Sequence, residues 1–196
     1  MIGIGCVALS GKDTLFKILD SLYPNKLERV GLADLLKSEM DDFCRKSYGI
    51  SAFTKDPKEK ELIRPMFVAH GKVKRAQHHG TYWTGLVQER VDDIIKDGLI
   101  PVCTDIRYST YPEDEIFWLK TKNNGVYIQV DRYHKDGAKI EPPNSDEKEQ
   151  EKILEKYADY KLSWPTSDNM DYLADVVKVQ LKDLLLKIEN KYVING

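Results

Sequence analysis

Cysteine is scarce in this chain, with Cys6, Cys44 and Cys103 in 196 residues. An odd, scattered set builds neither a disulfide framework nor a metal cluster, and it fits a reducing compartment. No apolar run approaches the ~20 residues that span a bilayer, so no membrane partner is expected. Neither charge sign dominates: 30 Lys+Arg stand against 32 Asp+Glu, a formal charge of −2. That balance argues against retention on nucleic acid by bulk electrostatics, and no nucleic-acid partner is expected, although a local basic groove is compatible with it. The N-terminus lacks a basic leader and a cleavage site, so a cytoplasmic location is expected. Repeats and low-complexity tracts are absent. His70, His78 and His79 have no Glu or Cys at metal spacing, which favours surface or packing roles.

What is present is alternation. Residues 1–9 form an apolar run that stops at Ser10-Gly11 and reads as a buried strand. Leu15, Ile18, Leu19 and Leu22 have helical spacing. A strand is expected over 27–32 and a helix over 33–48, with Gly49 as its stop. The polar stretch 51–60 reads as a loop, 61–71 as a helix and the basic 72–80 as irregular. A strong helix follows over 82–96, then a buried strand over 99–104. A helix over 112–120, a turn at Asn123-Asn124-Gly125 and a strand over 126–130 come next. Composition makes 132–143 a mobile loop. Asn144 with Glu147 fits a capping-box variant that opens a charged helix to 156. A short strand over 160–164 and one long amphipathic helix over 173–188 complete the chain. Strands alternating with helices predict an α/β fold: a parallel sheet of about five strands with helices on both faces. Ligands of such sheets bind beyond the carboxyl ends of the strands, which directs attention to the loops there.

The strongest chemical signal is Ser10-Gly11-Lys12-Asp13-Thr14, where a strand turns into a helix. A phosphate-binding loop needs that context: backbone N–H groups and a helix N-terminus face the phosphate, and a lysine bridges its outer oxygens. Lys12 is therefore expected to be exposed, with no core contact. The usual pattern is G-x-x-x-x-G-K-[ST]; here Cys6 replaces the first glycine and Asp13 the Ser/Thr. The bland alternative is an ordinary strand–helix turn. Asp105 and Arg107 follow the third strand, where an aspartate can hold magnesium or its waters and an arginine can grip phosphate bidentately. Two-residue spacing predicts that they point the same way. Arg64, Lys72, Lys74 and Arg75 form a basic segment in an otherwise balanced chain. Arg132 opens the loop after the fourth strand, where a lid would carry an arginine over a phosphate.

In order along the chain, these residues resemble a family. Ser10-Gly11-Lys12-Asp13-Thr14 precedes Gly31-Leu32-Ala33-Asp34-Leu35-Leu36-Lys37. Arg64 with Gly71, Tyr82-Trp83, Asp105-Ile106-Arg107 and a strand ending at Arg132 follow. The set is similar to that of the phage-type deoxynucleoside monophosphate kinases, members of the P-loop nucleoside monophosphate kinase superfamily. The resemblance covers about residues 1 to 132. The S-G-K-D-T loop also occurs in phosphomevalonate kinases, so the ordered series is more specific than any one piece. The family itself carries aspartate where Asp13 stands; Cys6 remains a departure.

The resemblance implies a single three-layer P-loop kinase domain over 1–196, with an acceptor-binding helical region at 33–98 and a lid at 132–156. It implies transfer of the γ-phosphate of ATP to a deoxynucleoside 5′-monophosphate, with Mg2+. Ser10, Gly11, Lys12, Asp13 and Thr14 would hold ATP, with Lys12, Asp105, Arg107 and Arg132 acting in transfer. Asp13, Thr14 or Asp105 would lie near the metal. Asp34, Lys37, Arg64, Arg75, Trp83 and Arg107 would line the acceptor pocket, although stripe spacing also makes Trp83 a core residue. The expected partners are ATP and the monophosphate, a homodimer is compatible, and a phage-encoded chain would work in the host cytoplasm. Two alternatives stay open: a kinase of another small phosphorylated metabolite, and a non-catalytic nucleotide-binding protein.

Overall fold

A computed structural model describes residues 1–5, 9–142 and 145–193. Cys6 and the proposed cap Asn144 lie outside the described residues. Five strands form one sheet in the order β2-β3-β1-β4-β5, from β1 (Ile2–Gly5), β2 (Leu27–Val30), β3 (Ile100–Ile106), β4 (Val126–Tyr133) and β5 (Tyr160–Pro165). All four pairings are parallel. This is the three-layer α/β architecture expected above.

Both faces of the sheet are apolar because both are covered. On one face α1 (Lys12–Leu22) packs through Leu15, Ile18 and Leu19. Beside it lie α7 (Met170–Gln180) and α8 (Lys182–Val193), through Leu173, Val177, Leu184 and Ile188. The other face takes Leu32 from α2 (Leu32–Tyr48) and Trp83, Val87, Val91 and Ile94 from α4 (Thr81–Lys96). Trp118 and Leu119 join this second core from a π-helical turn, Trp118–Lys122, that continues α5 (Glu115–Phe117). Consecutive β-residues divide between the cores: Val102 faces one and Cys103 the other. No described helix is long and apolar enough to cross a membrane.

Several element boundaries differ from the sequence reading. The helix expected over 61–71 is α3, Pro57–Gln77, so the basic stretch expected to be irregular supplies its last turns. Asp56 caps it, accepting hydrogen bonds from the N–H groups of Lys58 (2.8 Å) and Glu59 (3.0 Å), with Pro57 in the first turn. Its buried residues are Ile63, Gly71 and Arg75, which leaves little apolar periodicity to read. The helix expected over 112–120 starts at Glu115. The single final helix is two, broken at Leu181 without proline or glycine. Leu9, expected in a buried strand, is 75% exposed and has φ of 66°. β3 continues to Ile106, so Asp105 lies within the strand. β4 continues to Tyr133, and Arg132 pairs with Trp164 in the ladder, so Arg132 belongs to the sheet and not to the loop beyond it. That loop is tied back by His134 N to Ala138 O (2.7 Å) and Ile140 N to Arg132 O (2.8 Å). α6 (Ser145–Leu154) follows.

Candidate active site

A cavity of about 610 Å³ opens at the carboxyl edge of the sheet. Its floor is the turn from β1 into α1. Gly11 stands before α1 with φ of 94°, a left-handed conformation that disfavours side chains. A Cβ added there would meet the Trp164 ring at 2.8 Å, so the position is closed to side chains on both counts. Trp164 Nε1 also donates to Ser10 O (3.0 Å), and Arg132 Nη1 donates to Leu9 O (3.3 Å). β4 and β5 thus brace the loop from outside the motif. No side chain of the described residues caps the N-terminus of α1, and Gly11, Lys12, Asp13 and Thr14 all line the cavity. Such a helix end attracts an anion through its N–H groups and its dipole. Lys12 is buried, contrary to expectation: it is 8% exposed, and its Nζ lies 3.5 Å from Ser10 Oγ. The cavity wall shields it while leaving it on the ligand side.

Two aspartates have partners that change their reading. Asp105 Oδ1 accepts from Leu32 N (3.0 Å) and Oδ2 from Ala33 N (2.6 Å). It therefore caps α2 from across the sheet edge, using both oxygens, while still lining the cavity. Asp34, expected in the acceptor pocket, turns to Arg29 Nη1 (2.6 Å) and Lys37 Nζ (3.5 Å) instead, and it does not line the cavity. Ser10 does not line it either; Lys37 does. Asp13 is largely exposed and lies 3.9 Å from Arg29 Nε.

Facing the loop is a wall of arginines. Arg64 and Arg75 come from α3 and Arg107 from the end of β3, and all three line the cavity. Arg75 is 8% exposed; its Nη2 donates to Asp114 Oδ2 (2.5 Å), and its guanidinium sits 3.6 Å from the Tyr108 ring centroid. Arg107 Nη1 reaches Glu147 Oε1 at 3.3 Å. Arg64 Nε lies 3.3 Å from Glu61 but is too poorly aligned for a hydrogen bond. In each of the three the Nε is buried and has no hydrogen-bond partner among the described residues. Trp83 adds another such donor: it is 4% exposed, belongs to the core and lines the cavity, and its Nε1 has no hydrogen-bond partner among the described residues. Unsatisfied buried donors are costly, so four around one cavity suit a ligand rich in acceptors.

Sequence reading missed the residues that aim these arginines. Asp114 is fully buried and caps α5, and it also accepts from Thr110 N (3.0 Å) and Tyr111 N (3.3 Å). Glu115, 5% exposed, lines the cavity and accepts from Arg107 N (2.6 Å) and Tyr108 N (3.0 Å) through Oε2. Burial, then the neighbouring Asp114 charge, pushes its carboxyl up to about 8, against the pull of Arg75. Gln150 of α6 accepts from Ser109 N (2.9 Å). An aspartate just before a short apolar helix was the one local sign, and it marks a cap rather than a ligand site.

His70, His78 and His79 pack against Trp83, Tyr82 and Tyr111 respectively. No group of three or more metal-ligating side chains occurs among the described residues.

No protein-family model matches the chain, and no curated protein matches it. Among solved structures, a dephospho-CoA kinase from Campylobacter jejuni is similar with a TM-score of 0.48 at 13% identity, over 93% of this chain and 98% of that one.

Proposed function

We propose that the protein transfers the γ-phosphate of ATP to a deoxynucleoside 5′-monophosphate. The carrying observation is the opposition, across one cavity, of the N-terminus of α1 with Lys12 to three arginines whose buried Nε atoms have no hydrogen-bond partner among the described residues. Two anion sites facing each other are what a donor phosphate and an acceptor phosphate need. The ordered motifs that resemble the phage-type family add the nucleoside, and Leu36, Phe53, Phe67 and Trp83 supply apolar wall for a base.

The residues fit ATP: Gly11 lines the cavity at the start of α1, and Lys12 stands beside it. Magnesium would neutralise phosphate charge, held by nucleotide oxygens with Asp13 and Thr14 in reach of the cavity. Asp105, whose oxygens both hold α2, is assigned to positioning the acceptor helix. Transfer then breaks the bond between Pγ and the β–γ bridging oxygen while an acceptor-phosphate oxygen attacks Pγ from the opposite side. Lys12 neutralises the outer donor oxygens, and Arg64, Arg75 and Arg107 hold the acceptor. Arg132, at the sheet edge beside Leu9, offsets transition-state charge. Residues 33–98 act as the acceptor region and 132–156 as the lid.

A coupled assay with ATP, magnesium and a panel of monophosphates tests the reading. The expected result is ADP formation that depends on one or more deoxynucleoside monophosphates. ADP release at background with every acceptor would refute it.

A further inference from the structure

The segment between Arg107 and Tyr111 has an unusual set of partners. Its five successive backbone N–H groups all donate to side chains: two to Glu115, one to Gln150 and two to Asp114. The segment therefore has no shape of its own to fall back on; three side chains hold it. It carries Arg107, and the Tyr108 ring on which Arg75 rests.

Glu115 is the member nearest the chemistry. It is 5% exposed, yet it borders the cavity that Arg107 also lines. One of its oxygens fixes the N–H groups on both sides of the Arg107 α-carbon turn into the loop, at 2.6 and 3.0 Å. The guanidinium above is only lightly held, by Glu147 at 3.3 Å, with its Nε unpartnered. The aim of Arg107 is thus set from its backbone more than from its head.

We propose that Glu115 is a positioning residue for the acceptor phosphate, holding the backbone of Arg107 and Tyr108 so that the Arg107 guanidinium meets that phosphate. This rests on the kinase reading above. The charged and titratable groups around Glu115 are Asp105 and Cys103 on β3, Arg75 on α3, Arg107 and Tyr108 on the loop, and Asp114 beside it. Burial and the Asp114 charge favour the neutral carboxyl of Glu115, which still accepts both N–H bonds at its carbonyl oxygen. Ionisation at higher pH would place an anion beside a site built for an anion.

The test uses the full-length enzyme with Glu115→Ala, Glu115→Gln and Glu115→Asp, assayed with ATP and each of the four deoxynucleoside 5′-monophosphates. Calorimetry of monophosphate binding without ATP runs alongside. Glu115→Ala should raise the acceptor KM and Kd about tenfold or more and leave the ATP KM within about twofold. Glu115→Gln, which keeps an acceptor oxygen and cannot ionise, should restore acceptor affinity at neutral pH. It should also abolish the rise in acceptor KM that is expected of the wild type as Glu115 ionises above about pH 8. If Glu115→Ala does not fold, Glu115→Asp, with its carboxyl withdrawn by one methylene, should show the same selective acceptor defect in milder form. An unchanged acceptor constant in whichever of these two folds, parallel loss of ATP affinity, or failure of Gln to rescue overturns the proposal. Failure of the wild type to transfer phosphate, with monophosphate binding still weakened by Glu115→Ala, would sink the kinase reading and leave the positioning role standing.

Discussion

The two sides of the cavity are built by opposite means. The loop at 9–14 is made from backbone: a left-handed glycine, an uncapped helix end and one lysine within five consecutive residues. The arginine wall is made from side chains on α3, the end of β3, α5 and α6, joined by buried carboxylates. A backbone site keeps its shape when one side chain changes. A wall of paired charges loses its shape when one partner is removed, because the other is left buried and uncompensated. The loop side should therefore separate function from stability, and the arginine side should confound them.

The sharpest way to break that contrast is Lys12→Ala. Transfer should be abolished, and any residual kcat/KM above about a tenth of wild type, a loss under about 1.4 kcal/mol, counts against the phosphate-loop reading. Thermal unfolding should stay close to wild type even though Lys12 is buried. Next comes Asp114→Ala, which strands Arg75 and frees Thr110 and Tyr111; chemical denaturation should show a stability loss of about 3–5 kcal/mol. A loss below about 1 kcal/mol would make the pair a surface-like one. Arg107→Ala is smaller again. Losing a charge-assisted phosphate contact, about 2–3 kcal/mol, should lower kcat/KM for the acceptor some 30- to 150-fold, and titration of ATP should show little change. Comparable changes for both ligands would move Arg107 out of the acceptor site. The least effect is expected from Gly11→Ala, about 1–2 kcal/mol of stability for the left-handed backbone before any shift of Trp164. If calorimetry found that variant as stable as wild type with unaltered ATP affinity, the loop would not need its glycine.

The same contrast explains what could be read in advance. β1, β3 and β4 were legible because strands buried on both faces leave continuous apolar runs. The Ser10–Thr14 motif was legible because its parts are contiguous. Lys12, Asp13, Thr14, Lys37, Arg64, Arg75, Trp83, Asp105, Arg107 and Arg132 all line one cavity. What stayed hidden depends on partners far along the chain. Asp105 reads as a metal candidate until Leu32 N, 73 residues away, takes its oxygen. Asp114, inside the helix expected over 112–120, carries no local sign of Arg75, which bonds it from 39 residues away. The early start of α3 was hidden because the helix buries a glycine and an arginine where a periodic pattern needs apolar residues. The break at Leu181 has no residue that announces it.

Trp164 carries one more consequence. Its indole holds Ser10 O from 154 residues away, and its ring fills the space over Gly11. The motif that is complete within the first fourteen residues is thus given its shape by the last strand of the sheet. In synthesis the Ser10–Thr14 loop precedes β5, and it would take its final form only once that strand is in place. Until β5 docks beside β4, the growing protein would have the residues of the loop without the frame that orders them.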